Sequence, residues 1–140
     1  MANPANPPHL LLDTNAILRY LLCDVKDQAD RVQTRLSQAQ AGLLILEIHP
    51  LILAETIFVL ESFYAETSAE IAKTLITFLN TPGIRMQEEH RVREALARYA
   101  ISNVGFVDSY LSILGVETSF PILSFDKGLD RFKDIRRVEK

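Results

Sequence analysis

The chain has 140 residues, of which 48% are hydrophobic and 24% are charged, and its net charge is −3. These proportions are typical of a globular domain, exclude a chain that is disordered throughout, and predict one domain. The single cysteine, Cys23, excludes an internal disulfide framework and a cysteine-rich zinc site. The acidic balance argues against a general basic nucleic-acid binder, so any nucleic-acid chemistry must depend on a local site.

The sequence predicts a cytoplasmic protein without a membrane segment. Residues 1–8 form a Pro/Asn-rich tail that we expect to be mobile. This tail has no Lys or Arg and does not resemble a signal peptide. The longest apolar stretch, residues 43–60, is interrupted by polar residues, which argues against a membrane-spanning helix. We expect the folded domain to cover residues 9–140.

Hydrophobic patterning predicts strands separated by helices. Short apolar runs with polar ends are typical of strands, and apolar residues three and four apart are typical of helices. In chain order we predict a strand at 9–12, helices at 15–22 and 24–41, a strand at 43–48, helices at 50–64 and 67–79, a strand at 84–86, helices at 88–101 and 105–116, and strands at 120–125 and 135–138. This alternation implies an α/β fold with a parallel sheet covered on both faces.

Several residues mark where these helices begin and how they face the core. Pro50 suits the first position of a helix that is apolar on almost every side, so we expect that helix to be largely buried. Thr67 and Glu70 form a capping-box pair at the start of the next helix. Pro82-Gly83 predicts a turn before the third strand.

Four carboxylates follow strands or lie in the helices just after them: Asp13, Glu55, Asp108 and Asp126. Ligands bind beyond the carboxyl ends of the strands in open parallel sheets, so these positions are candidates for one site. The helix neighbours of Glu55 are apolar, so we expect its face to be buried. Glu61, six residues further along, should lie too far from the sheet edge to join the cluster.

Each of these carboxylates also has a purely structural interpretation. Asp13 and Asp126 could be turn or helix-capping residues, Asp108 a favourable charge in a first helical turn, and Glu55 could extend to solvent. Together they would repel by roughly 3 kcal/mol per pair at about 5 Å and an effective dielectric of 20. A cation would remove that repulsion, and oxygen-only ligands favour Mg²⁺ or Mn²⁺.

Other chemistries have little support in the sequence. The five glycines form no phosphate-binding loop, the three histidines lack metal-ligand spacing, and no serine lies in a nucleophile elbow. Cys23 is best explained as a small apolar residue. The basic C-terminal run includes Lys127 and Arg131, which either form a solvated surface or contact RNA phosphates near Asp126.

Four short motifs resemble those of PIN-domain ribonucleases, in the same order: residues 11–15, 53–56, 105–111 and 124–132. The size and motif order resemble the VapC-type toxins of toxin–antitoxin systems. The resemblance implies a three-layer α/β/α sandwich with a parallel sheet of four or five strands. It further implies a divalent-metal-dependent endoribonuclease, commonly a homodimer, that is held inactive by an antitoxin.

By motif position, the resemblance assigns the acidic cluster to Asp13, Glu55, Asp108 and Asp126, which would bind Mg²⁺ or Mn²⁺. Thr14 and Asn15 would orient Asp13, and Ser124 would support Asp126 or a metal-bound water. RNA would be the substrate, with tRNA as one candidate, and a cognate antitoxin would be the protein partner.

Two alternatives remain open at this point. The first is a catalytically silent PIN-like module that binds RNA or protein. The second is an aspartyl phosphatase or a phospho-accepting receiver domain on a similar sheet. A phosphatase needs an Asp where Asn15 stands, and a receiver needs an acceptor Asp where the second strand ends in His49-Pro50. The phosphatase and the receiver domain are therefore disfavoured.

Overall fold

The computed structural model describes residues 5–140, which form an α/β fold of parallel strands and six α-helices. In chain order the elements are β1 (His9–Leu11), α1 (Thr14–Leu22), α2 (Lys26–Gln40), β2 (Ile45–Ile48), α3 (Pro50–Tyr64), α4 (Ser68–Leu79), β3 (Ile84–Met86), α5 (Glu89–Ser102), α6 (Phe106–Thr118), β4 (Ile122–Leu123), a 3₁₀ helix (Lys127–Arg131) and β5 (Arg137–Val138). The predicted fold class and element order are confirmed.

All strand pairs are parallel, as predicted, but the strands form two sheets. The first has the order β1-β2-β3, with Leu10 opposite Leu46 and Leu46 opposite Ile84. The second pairs β4 with β5. β4 is shorter than the predicted strand at residues 120–125. Pro121 has no N–H to donate to a ladder, and a turn at Ser124 ends the strand on its other side.

Two apolar clusters stabilise these layers. The larger one joins the first sheet to α1–α6 and contains fully buried side chains such as Ile17, Leu75 and Leu96. The smaller one lies under the C-terminal segment and is formed by Val104, Ile122, Leu129 and Phe132. The end of α5, the start of α6 and the 3₁₀ helix therefore meet above a separate small core.

The prediction that α3 is largely buried is wrong. Leu53, Ile57 and Leu60 are at most 1% exposed, whereas Leu51 and Phe58 are 80% and 62% exposed. A helix at the edge of a small domain can bury only the side that faces the core. The apolar residues on its other side therefore remain at the surface.

The local markers are confirmed. Pro50 occupies the first position of α3. At α4 the Thr67 side chain accepts from the Glu70 N–H, and the Glu70 carboxylate accepts from the Thr67 N–H. Gly83, in the turn before β3, has a φ of 89°.

The predicted tail falls partly outside the described residues, which begin at Ala5. The Ile45 N–H donates to the Pro8 carbonyl at 2.9 Å, so pairing with β2 begins one residue before the predicted domain boundary. Between residues 5 and 140, no helix is both long and apolar enough to cross a membrane.

Candidate active site

The first two candidate carboxylates lie beyond β1 and β2. Asp13 directly precedes α1 and is exposed, and although it stands at the N-cap position its side chain makes no capping bond. Glu55 lies in the second turn of α3 and is also exposed, so the prediction of a buried face around it is wrong. It lies on the same surface stripe as Leu51 and Phe58. Both carboxylates are therefore accessible to a ligand.

Asp108 and Asp126 form a close pair. Asp108 is partly buried in the first turn of α6, and Asp126 precedes the 3₁₀ helix. Burial, together with a shared hydrogen bond and repulsion from Asp126, raises the pKa of Asp108 above its ordinary value. Two neighbouring carboxylates repel each other, and either protonation of one of them or a bound cation relieves that repulsion. This pair is the most direct structural indication of a cation site.

A network of backbone and side-chain bonds holds the segment that carries Asp126. The Asp126 N–H donates to Ser124 Oγ at 3.0 Å, and the Gly128 N–H donates to Asp126 Oδ1 at 2.8 Å. Arg137, on β5, donates to the Ser124 carbonyl at 3.0 Å and to both carboxylate oxygens of Asp130. These contacts fix the direction of the Asp126 side chain.

Sequence reasoning missed Arg137 as a residue that positions the site. It lies eleven residues after Asp126, within a basic run that resembles an ordinary solvated surface. Its role follows only from the parallel pairing of β4 with β5, which places Arg137 opposite Ile122. No short motif would have identified it.

Thr14 and Asn15 follow Asp13 at the start of α1. Thr14 is 4% exposed, and within residues 5–140 its Oγ1 has no hydrogen-bond partner. Asn15 is exposed. Thr14 therefore makes no side-chain hydrogen bond to Asp13 here, and the orienting roles of both residues remain predictions. A buried hydroxyl without a partner is costly, which favours a ligand or water at this end of β1.

Glu61 is bonded to a buried tyrosine of α5. It accepts a hydrogen bond of 2.6 Å from the hydroxyl of Tyr99, a residue of α5 that is 1% exposed. Burial and this carboxylate raise the pKa of Tyr99 well above its ordinary value. The Glu61–Tyr99 bond ties α3 to α5, and that Glu61 stands apart from the cluster remains a prediction.

The structure brings together two of the four candidate carboxylates and not all of them. In the part of the chain that is described, no three His, Cys, Asp or Glu side chains are grouped so as to hold a metal ion. The donor chemistry nevertheless fits a hard divalent cation, because every candidate ligand is a carboxylate oxygen. The Asp108–Asp126 pair supplies the negative charge that such an ion requires.

The two basic residues predicted to contact RNA lie on the 3₁₀ helix that follows Asp126. Lys127 and Arg131 are both exposed. Arg131 also donates to the Ser102 carbonyl at the end of α5, at 2.9 Å. The 3₁₀ helix is thereby connected to the loop that leads into α6 and Asp108.

Comparison with known proteins places this geometry in a family context. A family profile described as the PIN domain matches residues 10–135. A search of curated proteins found no match. The matched region begins in β1 and ends just before β5, so it contains all four candidate carboxylates.

Proposed function

This chain belongs to the PIN-domain family, whose members are typically nucleases that use divalent metal ions, and from that premise we propose that it is a divalent-metal-dependent endoribonuclease. The observation that carries the proposal is the Asp108–Asp126 pair, in which like charges lie near each other at the start of α6 and beyond β4. A purely structural role would not require that repulsion. A cation bound between the two carboxylates removes it.

In this proposal Asp13, Glu55, Asp108 and Asp126 hold Mg²⁺ or Mn²⁺, directly or through water. When bound, such an ion supplies Lewis acidity, which lowers the pKa of an attacking water and stabilises charge on the scissile phosphate. Ser124 and Arg137 keep Asp126 oriented through the backbone contacts described above. The raised pKa of Asp108 means that burial and repulsion from Asp126 oppose its ionised form, which a bound cation would stabilise.

We further propose that the enzyme is the toxin of a toxin–antitoxin pair and acts in the cytoplasm. The four motifs that resemble VapC-type toxins support this assignment. Phe63 and Phe58, both on α3, are 74% and 62% exposed. Large exposed apolar side chains are typical of protein interaction surfaces. They are consistent with a homodimer and with an antitoxin partner.

The test is RNA cleavage by the purified full chain, with total tRNA as substrate, in Mg²⁺ or Mn²⁺ and in EDTA. Asp13→Asn and Asp108→Asn should each reduce the rate strongly, since even changes to partners of metal ligands cost roughly 10- to 100-fold. Glu94→Gln is the charge-matched control, because Glu94 is an exposed residue of α5 outside the candidate site. Cleavage at the wild-type rate by either Asp variant would refute the site assignment.

A catalytically silent PIN-like module that binds RNA or protein is the second candidate. The observation that favours it is the absence, within residues 5–140, of a group of three metal-ligating side chains. Tight RNA binding in EDTA, with no turnover after Mg²⁺ or Mn²⁺ is added, would support this alternative. The sample must first be free of co-purified antitoxin by mass spectrometry.

A further inference from the structure

A surface cavity of about 520 Å³ lies between the end of α5 and the segment around the 3₁₀ helix. Its lining combines three cationic side chains with two apolar ones and one serine: Arg98, Arg131, Lys133, Ile101, Phe132 and Ser102. No carboxylate lines it. In a chain with a net charge of −3, this concentration of positive charge requires an explanation.

Arg98 serves the fold rather than a ligand. Its guanidinium forms two hydrogen bonds with the Asp134 carboxylate and donates to Ser112 Oγ at 3.1 Å. It also lies 4.9 Å from the centre of the Phe132 ring. Its charge is neutralised by Asp134, and its contacts hold one wall of the cavity in place.

Arg131 and Lys133 are held in a different way. Arg131 Nη1 donates to the Ser102 carbonyl at 2.9 Å, and Lys133 Nζ donates to the Asp130 carbonyl at 2.9 Å. Backbone carbonyls fix these side chains without cancelling their charges. The nearby Asp130 carboxylate is hydrogen-bonded to Arg137, and it attracts Lys133 electrostatically without a direct bond. Arg131 keeps further N–H donors, and Lys133 keeps two, for an anionic ligand.

The cavity adjoins both elements that carry the close carboxylate pair. Ser102 ends α5 just before the loop that leads into Asp108 of α6. Arg131 ends the 3₁₀ helix that begins after Asp126. A 3₁₀ helix rises about 2.0 Å per residue, so Arg131 lies about 10 Å along the chain from Asp126. The cavity and the carboxylate pair therefore lie on neighbouring segments that one nucleic-acid strand can contact.

We propose that this cavity holds a backbone phosphate of single-stranded RNA next to the phosphate that is cleaved, an inference that rests on the proposed ribonuclease function. Arg131 and Lys133 contact the phosphate oxygens. Ile101, which is 88% exposed, offers an apolar surface to the adjoining sugar or base. Contacts of this kind position a strand without reading its sequence. They also explain how an acidic protein retains RNA.

The test is the salt dependence of binding between the full chain and fluorescein-labelled oligouridylate, measured by anisotropy in EDTA so that no cleavage occurs. Each lost phosphate contact should reduce the slope of log affinity against log salt concentration by about 0.7. We expect that reduction for Arg131→Ala and for Lys133→Ala. Arg131→Lys should keep the wild-type slope because it keeps the charge.

Arg136→Ala is the matched control, because Arg136 is an exposed cation of the same segment that does not line the cavity. Thermal unfolding of every variant checks that the C-terminal segment remains folded. Slopes for Arg131→Ala and Lys133→Ala equal to that of Arg136→Ala would overturn the proposal, as would no measurable RNA binding by the wild type.

The proposed function can fail separately from this inference. Reduced slopes in both cavity variants, with no cleavage by the wild type in Mn²⁺, would support the cavity and refute the ribonuclease. Metal-dependent cleavage with unchanged slopes would support the ribonuclease and refute the phosphate site in the cavity.

Discussion

Replacing Asp126 with Asn removes one charge from the Asp108–Asp126 pair while preserving its geometry. The Asn side-chain oxygen can still accept from the Gly128 N–H, which donates to Asp126 Oδ1 in the wild type. The substitution therefore isolates the electrostatic cost of the pair. Without a cation, we expect the variant to be more stable than the wild type at neutral pH.

The magnitude follows from Coulomb repulsion and exposure. Two unit charges about 4 Å apart repel by about 4 kcal/mol at an effective dielectric of 20. Asp126 is exposed and Asp108 is only partly buried, so solvent screening reduces the repulsion substantially. Exposed charge pairs typically contribute about 1 kcal/mol or less. We therefore expect the variant to gain about 1 kcal/mol in free energy of unfolding.

The gain should depend on pH in a defined direction. The pKa of Asp108 is raised in the folded state, so the pair destabilises the fold at pH values above that pKa. The penalty is relieved as the pH falls through the folded pKa towards the unfolded value of about 3.9. The advantage of the variant should therefore be present at pH 7 and should shrink near pH 4.

Urea denaturation in EDTA at both pH values measures this difference, with Glu94→Gln as the charge-matched control. Saturating Mn²⁺ should reverse the order, because the wild type retains a ligand that the variant has lost. The reasoning is refuted if Asp126→Asn is no more stable than Glu94→Gln at pH 7 in EDTA.

Three further predictions concern positions outside the pair. Thr67→Ala breaks the capping box of α4 and should cost about 1 kcal/mol in urea denaturation, whereas Ser62→Ala, at an exposed site on α3, should change stability by less than about 0.5 kcal/mol. Gly83→Ala should lower the urea midpoint of unfolding more than Gly42→Ala does. Both glycines have positive φ, so both substitutions strain the backbone. Only at Gly83 would the added Cβ come within 2.6 Å of backbone atoms of α2. Equal midpoints would contradict this. Arg137→Lys cannot reproduce the hydrogen bonds from Arg137 to the Asp130 carboxylate and the Ser124 carbonyl. It should therefore weaken Mn²⁺ binding, measured by calorimetry. An unchanged affinity would show that these Arg137 contacts do not position Asp126.

Elements that depend on local signals were predictable. The bounds of α3 follow from Pro50 at its start and from apolar continuity to Tyr64, and the structure reproduces both. The capping box at Thr67 is equally local. β4 was predicted too long because its ends depend on Pro121 and on a turn at Ser124, which oppose the apolar character of residues 120–125.

Burial was less predictable than secondary structure. The sequence of α3 is apolar on almost every side, and its only charged residues, Glu55 and Glu61, are the only strong signal for a solvent-facing side. The structure buries the side with Leu53 and Ile57 and exposes the side with Glu55. That choice depends on packing against other elements, which hydrophobic periodicity does not encode.

The candidate site was predictable in its residues but not in its assembly. Asp13 and Asp126 were identified because they follow strands. The contact between Asp108 and Asp126 joins α6 to the segment after the next strand, so it involves parts close in sequence. The positions of Asp13 and Glu55 relative to that pair depend on how the β1-β2-β3 sheet lies against the β4-β5 sheet. No local pattern specifies that relation.

The measurement that tests the central claim most directly is the paramagnetic effect of Mn²⁺ on the amide resonances of the full chain. If the four carboxylates share one ion, substoichiometric Mn²⁺ should broaden the amides around Asp13, Glu55, Asp108 and Asp126 together. Asp108→Asn should reduce all of these effects in parallel. Broadening confined to the Asp108–Asp126 segments, with Asp13 and Glu55 unaffected at saturation, would contradict the four-carboxylate metal site.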